Sequence, residues 1–435
     1  MAVAYQLVMN EILILRSSFQ TDEYVKKEYA ELLRLLTEKC GASFRVIGEE
    51  MPLPQIKKHD TILVATGGVE GLFVKLLENE FVAENVTLIA DGRNNSLAAS
   101  MEILTYLNEK GGNGKIIHGT NEEIVADLLG PQQIKSDEKL VSNVNAENVK
   151  SSRLIEFNRI AIFGEPSDWL IASGVDREFV KEKFNVDFVN VDIERLVARV
   201  QLIDDEMVEL LAKDYEDSSI SFGEANHRDL LNSLKLYLAI SQICHEENCT
   251  CLTIRCFDIV KRLNATSCLA LAMLNDEGID ASCEGDLQSL LTMIVARRIA
   301  WQPAFMANPS GMSKENGTTT FAHCTVPMSM CRKYGFRSHF ESGLGIAIAG
   351  EMPVNQKYTI FKWGGRRLER FFVEEVDAVE KPYSEHLCRT QITFKFYKAE
   401  YMLNCPIGNH HIIIKGAVAA KIRQAMKEIG VEEVM

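Results

Sequence analysis

Three short stretches collect the residue types that bind a divalent metal. Cys283-Glu284-Gly285-Asp286 sets two carboxylates in one turn, just before a run that reads as a helix over 287–299. A strand-like piece at 303–307 follows, then an Asn-Pro-Ser turn, and a second strand closes on Ala322-His323-Cys324. Far downstream, Gly408-Asn409-His410-His411 opens the apolar run Ile412-Ile413-Ile414. Strand ends and the loops after them are where α/β proteins place their chemistry. Two carboxylates with two or three imidazoles there suit an ion of the Mn/Zn/Fe class.

Each of these residues also has a plain structural reading. Acidic groups are favourable at a helix N-terminus, and Asp286 stands where a cap belongs. A lone histidine at a strand end, such as His323, is commonly a satisfied structural residue. His410 and His411 are neighbours on a strand and point to opposite faces, so one of the pair at most reaches a shared site. A second polar cluster, Gly335-Phe336-Arg337-Ser338-His339-Phe340-Glu341-Ser342-Gly343, reads in the first instance as a salt-bridged surface hairpin.

The elements that must hold these residues follow from periodicity. Over the first 150 residues short apolar runs (61–65, 86–90, 115–117) alternate with helical spacings (21–39, 69–78, 97–110), and residues 5–15 read as a first strand. That alternation predicts a mostly parallel sheet. Residues 131–152 are polar and without period, which predicts a linker. Strand-turn-helix then restarts at 159–164, with further strands at 186–190 and 251–256 and helices at 177–184, 226–246 and 268–277. From residue 303 helical periods vanish, and β-type segments at 318–325, 345–348, 357–362, 368–376, 391–396 and 410–414 take over before a last helix at 417–429. The expected architecture is two Rossmann-like parallel-sheet α/β domains, 1–150 and 151–302, followed by a β-rich, antiparallel barrel-like domain, 303–435.

Composition bounds the partners. The chain has 435 residues and a formal net charge of −14, which argues against nucleic acid, since phosphate needs clustered Lys and Arg. No run reaches the ~18 apolar residues of a membrane helix. Eleven cysteines without framework spacing point to a reducing, cytoplasmic setting. Thr66-Gly67-Gly68 and Phe163-Gly164-Glu165 follow strands but form neither a P-loop nor a three-glycine fingerprint, so no nucleotide cofactor is expected. No Gly-x-Ser-x-Gly elbow supports covalent hydrolysis.

The arrangement of Glu284-Gly285-Asp286, a helix, Phe305-Met306-Ala307-Asn308 and a late Gly408-Asn409-His410 before Gly416-Ala417-Val418-Ala419-Ala420 resembles the L-fucose/L-arabinose isomerase superfamily, and its fucose isomerase branch more closely. The likeness is carried by about residues 225–435. It implies a metal centre of Glu284, Asn308, His323 and His410, with Mn²⁺ as the first choice and Zn²⁺ or Fe²⁺ as alternatives. It selects His410 over His411, and makes His323 a ligand or substrate contact. Asp286 is left as second carboxylate, cap or outer partner. The family carries a carboxylate where this chain has Asn308, which can ligate through its amide oxygen but cannot carry a proton. Similar Arg-Ser-His-Phe-Glu-Ser-Gly segments recur in fucose-isomerase-like proteins, which would make Arg337 and His339 contacts for an anionic or hydroxyl-rich substrate.

The implied activity is aldose–ketose isomerisation through a cis-enediolate, with Glu284 and Asp286 as candidate catalytic groups. The alternatives are a carbon–carbon lyase using the same intermediate and a non-catalytic sugar-binding relative. The family assembles as oligomers, so a homotrimer or homohexamer is expected.

Overall fold

Short runs of Ile, Leu and Val, too short for helices and buried on both faces, build the first sheet. The computed structural model describes residues 11–18, 20–54, 60–78, 85–130 and 159–434. Strands β1 (Ile12–Leu15), β2 (Phe44–Ile47), β3 (Thr61–Val64), β4 (Val86–Ala90) and β5 (Gly114–His118) pair in parallel in the order β2-β1-β3-β4-β5. The order reverses at β1/β3, and the loops leaving β1 and β3 diverge there, as at the ligand crevices of doubly wound sheets. Of the strand read at 5–15, residues 5–10 lie outside the described residues, as does the linker read at 131–152.

A second parallel sheet follows: β6 (Arg159–Phe163), β7 (Asp187–Val191), β8 (Cys251–Ile254) and β9 (Asp280–Ser282), in the order β7-β6-β8-β9. The helix Leu287–Ala300 leaves β9 and is buried along its first ten residues.

The β-rich part closes on itself. Strands β10 (Phe305–Ser313) and β11 (Thr318–His323) begin it, and β12 (Lys333–Arg337) and β13 (Ala347–Glu351) form a separate hairpin. Then come β14 (Lys357–Gly364), β15 (Arg370–Glu380), β16 (Thr390–Lys395), β17 (His411–Lys415) and β18 (Glu432–Glu433). Following the pairings, β14-β17-β10-β11-β16-β15 returns to β14 with every neighbour antiparallel, while β18 lies parallel to the start of β15. Closure leaves no long open edge for another chain to pair with. Its core is aromatic: Phe372 stacks on Tyr401 at 4.1 Å, and Phe321 packs against Phe394 and Phe396.

One local expectation fails. Asn308-Pro309-Ser310 is not a turn; β10 runs through it, and the register slips between Pro309 and Gly311. Proline lacks an N–H for the ladder, and a bulge is where a strand tolerates that. The bulge sits against the first sheet, where a side chain on Gly92 would collide with the Ser310 carbonyl, and Met312 N donates to His118 Nε2 at 2.9 Å.

Two helices tie the layers together. In Ser96–Glu109, buried Glu102 accepts from the backbone N–H groups of Ala172 and Ser173, and Thr105 Oγ1 donates to the Pro406 carbonyl. In Leu287–Ala300, Gln288 Nε2 lies within reach of the carbonyls of Ala172, Gly174 and Gly365. All eleven cysteines are free thiols. Among the described residues no helix is long and apolar enough to cross a membrane.

A candidate metal centre between the three sheets

The turn after β9 carries the central carboxylate. Glu284 has φ 62° and Gly285 φ 74°, two left-handed residues in succession. For a glutamate that conformation costs on the order of 1–2 kcal/mol, so the surroundings must enforce it. They do so through the backbone: Gly285 N donates to the Ile254 carbonyl, and Ser167 N donates to the Glu284 carbonyl. A Cβ at position 285 would stand 2.7 Å from Pro166 Cα, so only glycine fits. The strain aims the Glu284 side chain away from its own helix and into a cavity of about 490 Å³, a volume ordinary for small-molecule sites.

Two imidazoles approach it, His323 from the cavity lining and His410 from the buried side. His410 Nε2 stands 3.4 Å and His323 Nε2 3.8 Å from Glu284 Oε1. One ligand atom from each of the three residues falls within 4.8 Å of the others, the geometry of a site that can hold a metal ion. The far nitrogen of each ring is fixed: His323 Nδ1 bonds Thr325 Oγ1 at 3.0 Å, and His410 Nδ1 bonds Asp286 Oδ2 at 2.9 Å. This is how proteins orient metal-binding histidines. Trp169 Nε1 donates to the other Glu284 oxygen, Oε2, at 2.5 Å.

Asp286 has two roles and is fully buried. Its Oδ1 accepts from Ser289 N at 2.8 Å, capping the Leu287–Ala300 helix, while Oδ2 holds His410 and accepts from Ser289 Oγ. It stands behind His410 and does not line the cavity. The catalytic contact considered for Asp286 therefore gives way to a positioning one. Asn308 does line the cavity, and its buried Oδ1 has no hydrogen-bond partner among the described residues. His411 turns the other way, its ring packed against Phe321, Phe372 and Tyr401.

Charges follow this placement. Burial opposes ionisation of Glu284, but His410 and His323 outweigh it and hold the carboxyl well below the usual range. Burial likewise opposes a proton on His410, yet Glu284 and Asp286 raise its pKa to about 9. Burial pushes His411 down to about 3, with Lys362 adding to the effect, so it is a neutral core residue.

The segment around Arg337 divides. His339 lines the cavity, its ring edge-on to Phe257 at 5.6 Å, and Phe257 in turn meets Trp169 at 5.1 Å, forming an aromatic wall. Arg337 does not reach the cavity. Its guanidinium is committed to Glu224, Glu385 and Tyr383, outside the cavity where a substrate contact was expected of it. Glu341, which the sequence placed in a surface hairpin, faces the cavity instead and accepts from Asn95 Nδ2 at 3.0 Å. Trp169, Asn95 and Glu341 carry no local signal of this role, since each meets its partner across more than a hundred residues of chain.

No family model matches the chain. It is similar to a sulfoquinovose isomerase of Clostridium sp. (strain MSTE9), with 30% identity over 110 residues, which is 25% of this chain and 24% of that protein. The chain thus aligns with about a quarter of the length of the curated relative it matches.

Proposed function

We propose that this chain is a metal-dependent aldose–ketose isomerase, of the fucose/arabinose isomerase type, acting on an open-chain sugar through a cis-enediolate. The observation that carries the proposal is the convergence of Glu284, His323 and His410 on one point, where Glu284 and His323 line the cavity and His410 stands buried behind them. The similarity to a protein named sulfoquinovose isomerase supports the isomerase part of the reading. One carboxylate, two oriented imidazoles and the unpartnered amide oxygen of Asn308 fit a divalent ion of the Mn²⁺, Zn²⁺ or Fe²⁺ group, with Mn²⁺ the first choice. Such an ion supplies polarisation of the sugar's carbonyl and neighbouring hydroxyl oxygens.

The protein's own groups do the rest. Ser17, Thr66, Asn94, Asn95 and Asn409 offer neutral hydrogen-bonding groups to hydroxyls. Trp169, Phe257 and His339 give an apolar wall for the sugar's C–H face. Asp286 and Thr325 hold the two imidazoles in register. The proposal includes assembly as a homotrimer or homohexamer, read by sedimentation, and a cytoplasmic setting suited to eleven free thiols.

The test is proton exchange. Purified protein supplied with Mn²⁺ and incubated in D₂O with a panel of pentoses and hexoses should place deuterium at C2 of at least one aldose and form the matching ketose, both read by NMR. Release of shorter carbonyl fragments would assign a carbon–carbon lyase instead. Sugar binding without exchange or cleavage would assign a non-catalytic binding protein.

A further inference from the structure

Asn308 leaves the proposed reaction short of a proton carrier. Isomerisation moves a proton between neighbouring carbons, and an amide cannot carry it. The carboxylates around the cavity narrow the choice. Glu284 has Oε1 turned to two imidazoles and Oε2 taken by Trp169. Asp286 is sealed behind His410. Glu385 is ion-paired to Arg337 and Arg389. Glu70 sits at the start of its own helix and is 3% exposed, its Oε2 without a hydrogen-bond partner among the described residues.

Glu341 differs from Glu284, Asp286 and Glu385 in having one oxygen free, and from Glu70, which is almost fully buried, in being partly exposed. It lines the same cavity as Glu284, with one oxygen fixed by Asn95 and Oε2 without a hydrogen-bond partner among the described residues. The segment bearing it is held in place: His339 N donates to the Leu344 carbonyl, Gly343 N donates to the His339 carbonyl, and Gly345 packs so closely on Thr266 that no side chain would fit. A carboxyl group positioned by a fixed loop, in the same cavity as Glu284 and facing space for a small molecule, meets the geometric requirement for a general base.

Resting on the isomerase reading, we infer that Glu341 is the catalytic acid/base that transfers the proton between C2 and C1 of the sugar. As carboxylate it takes the C2 proton, and the C–H electron pair becomes the C1–C2 double bond of the enediol. A proton passes from O2 to O1. The Glu341 carboxylic acid then returns its proton to C1 as the C2 carbonyl forms, so the group ends as it began.

The experiment compares wild type, Glu341→Gln and Glu341→Asp in the deuterium assay with Mn²⁺ present, measuring bound manganese on the same samples. Glu341→Gln should retain manganese at the wild-type ratio, keep KM close to that of the wild type, and lose about 10²–10⁴-fold in exchange rate. Glu341→Asp should recover part of that loss. A fall of less than about tenfold in Glu341→Gln, or manganese lost together with the rate, overturns the assignment and leaves the isomerase reading standing. A wild type that exchanges no proton with any sugar overturns both.

Discussion

Glu284→Ala is expected to give a folded protein that holds no ion and isomerises nothing. The turn should survive because its fixed points are backbone bonds, Gly285 N to Ile254 O and Ser167 N to Glu284 O, together with the close contact of Gly285 on Pro166. Alanine bears the same left-handed cost as glutamate, so that term cancels. What disappears is the anionic ligand between two imidazoles. Losing even an outer partner typically costs 10–100-fold in metal affinity, so removal of the carboxylate itself should exceed about 100-fold. Titration with Mn²⁺, followed by elemental analysis, measures it. An alanine variant that binds manganese like the wild type would remove Glu284 from the site. Affinity should also climb with pH toward about 9, because an ion must displace the proton that His410 holds there.

The second large effect is at Asp286, where stability and metal binding are lost together. Asp286→Ala removes the N-cap of Leu287–Ala300, worth about 0.5–2 kcal/mol. It also leaves His410 Nδ1 buried without a partner, worth about 1–3 kcal/mol. Equilibrium urea unfolding of the ion-free protein should therefore show a loss of roughly 2–4 kcal/mol, and the freed ring should cost 10–100-fold in metal affinity. Asp286→Ser separates the two, because serine still caps the helix but carries no charge for His410. It should recover most of the capping stability and little of the affinity. The pH dependence has a definite sign. His410 is raised from an ordinary 6.5 to about 9, so its pairing stabilises the ion-free protein below pH 6.5 and fades as pH climbs through 9. Asp286→Ala should flatten that decline. Equal effects of Ala and Ser on affinity and stability would contradict the division of roles.

Much of the frame was legible because its causes are local. Parallel strands buried on both faces leave uninterrupted apolar runs, and β3, β4 and β6 were visible for that reason. The cap at Asp286 and the opposed faces of His410 and His411 follow from spacing alone. A barrel-like β-rich domain was legible, but the pairings that close it were not, since partners such as Phe305 and Ile413 lie far apart in sequence. Pro309 misled in the direction of its usual preference, and a bulge accommodated it. Arg337 and Glu341 share one polar segment, yet one faces an acidic cluster and the other the cavity. That division is set by Glu224 and Asn95, both contributed by distant chain. Buried Lys362, in the middle of β14, would be read from sequence as solvent-facing.

The most direct measurement is a crystal structure of the protein grown with Mn²⁺ and examined by anomalous scattering. The account predicts one strong peak bounded by Glu284 Oε1, His323 Nε2 and His410 Nε2. A cavity with no peak at saturating Mn²⁺, or manganese bound elsewhere while His410 stays paired to Glu284, would contradict it.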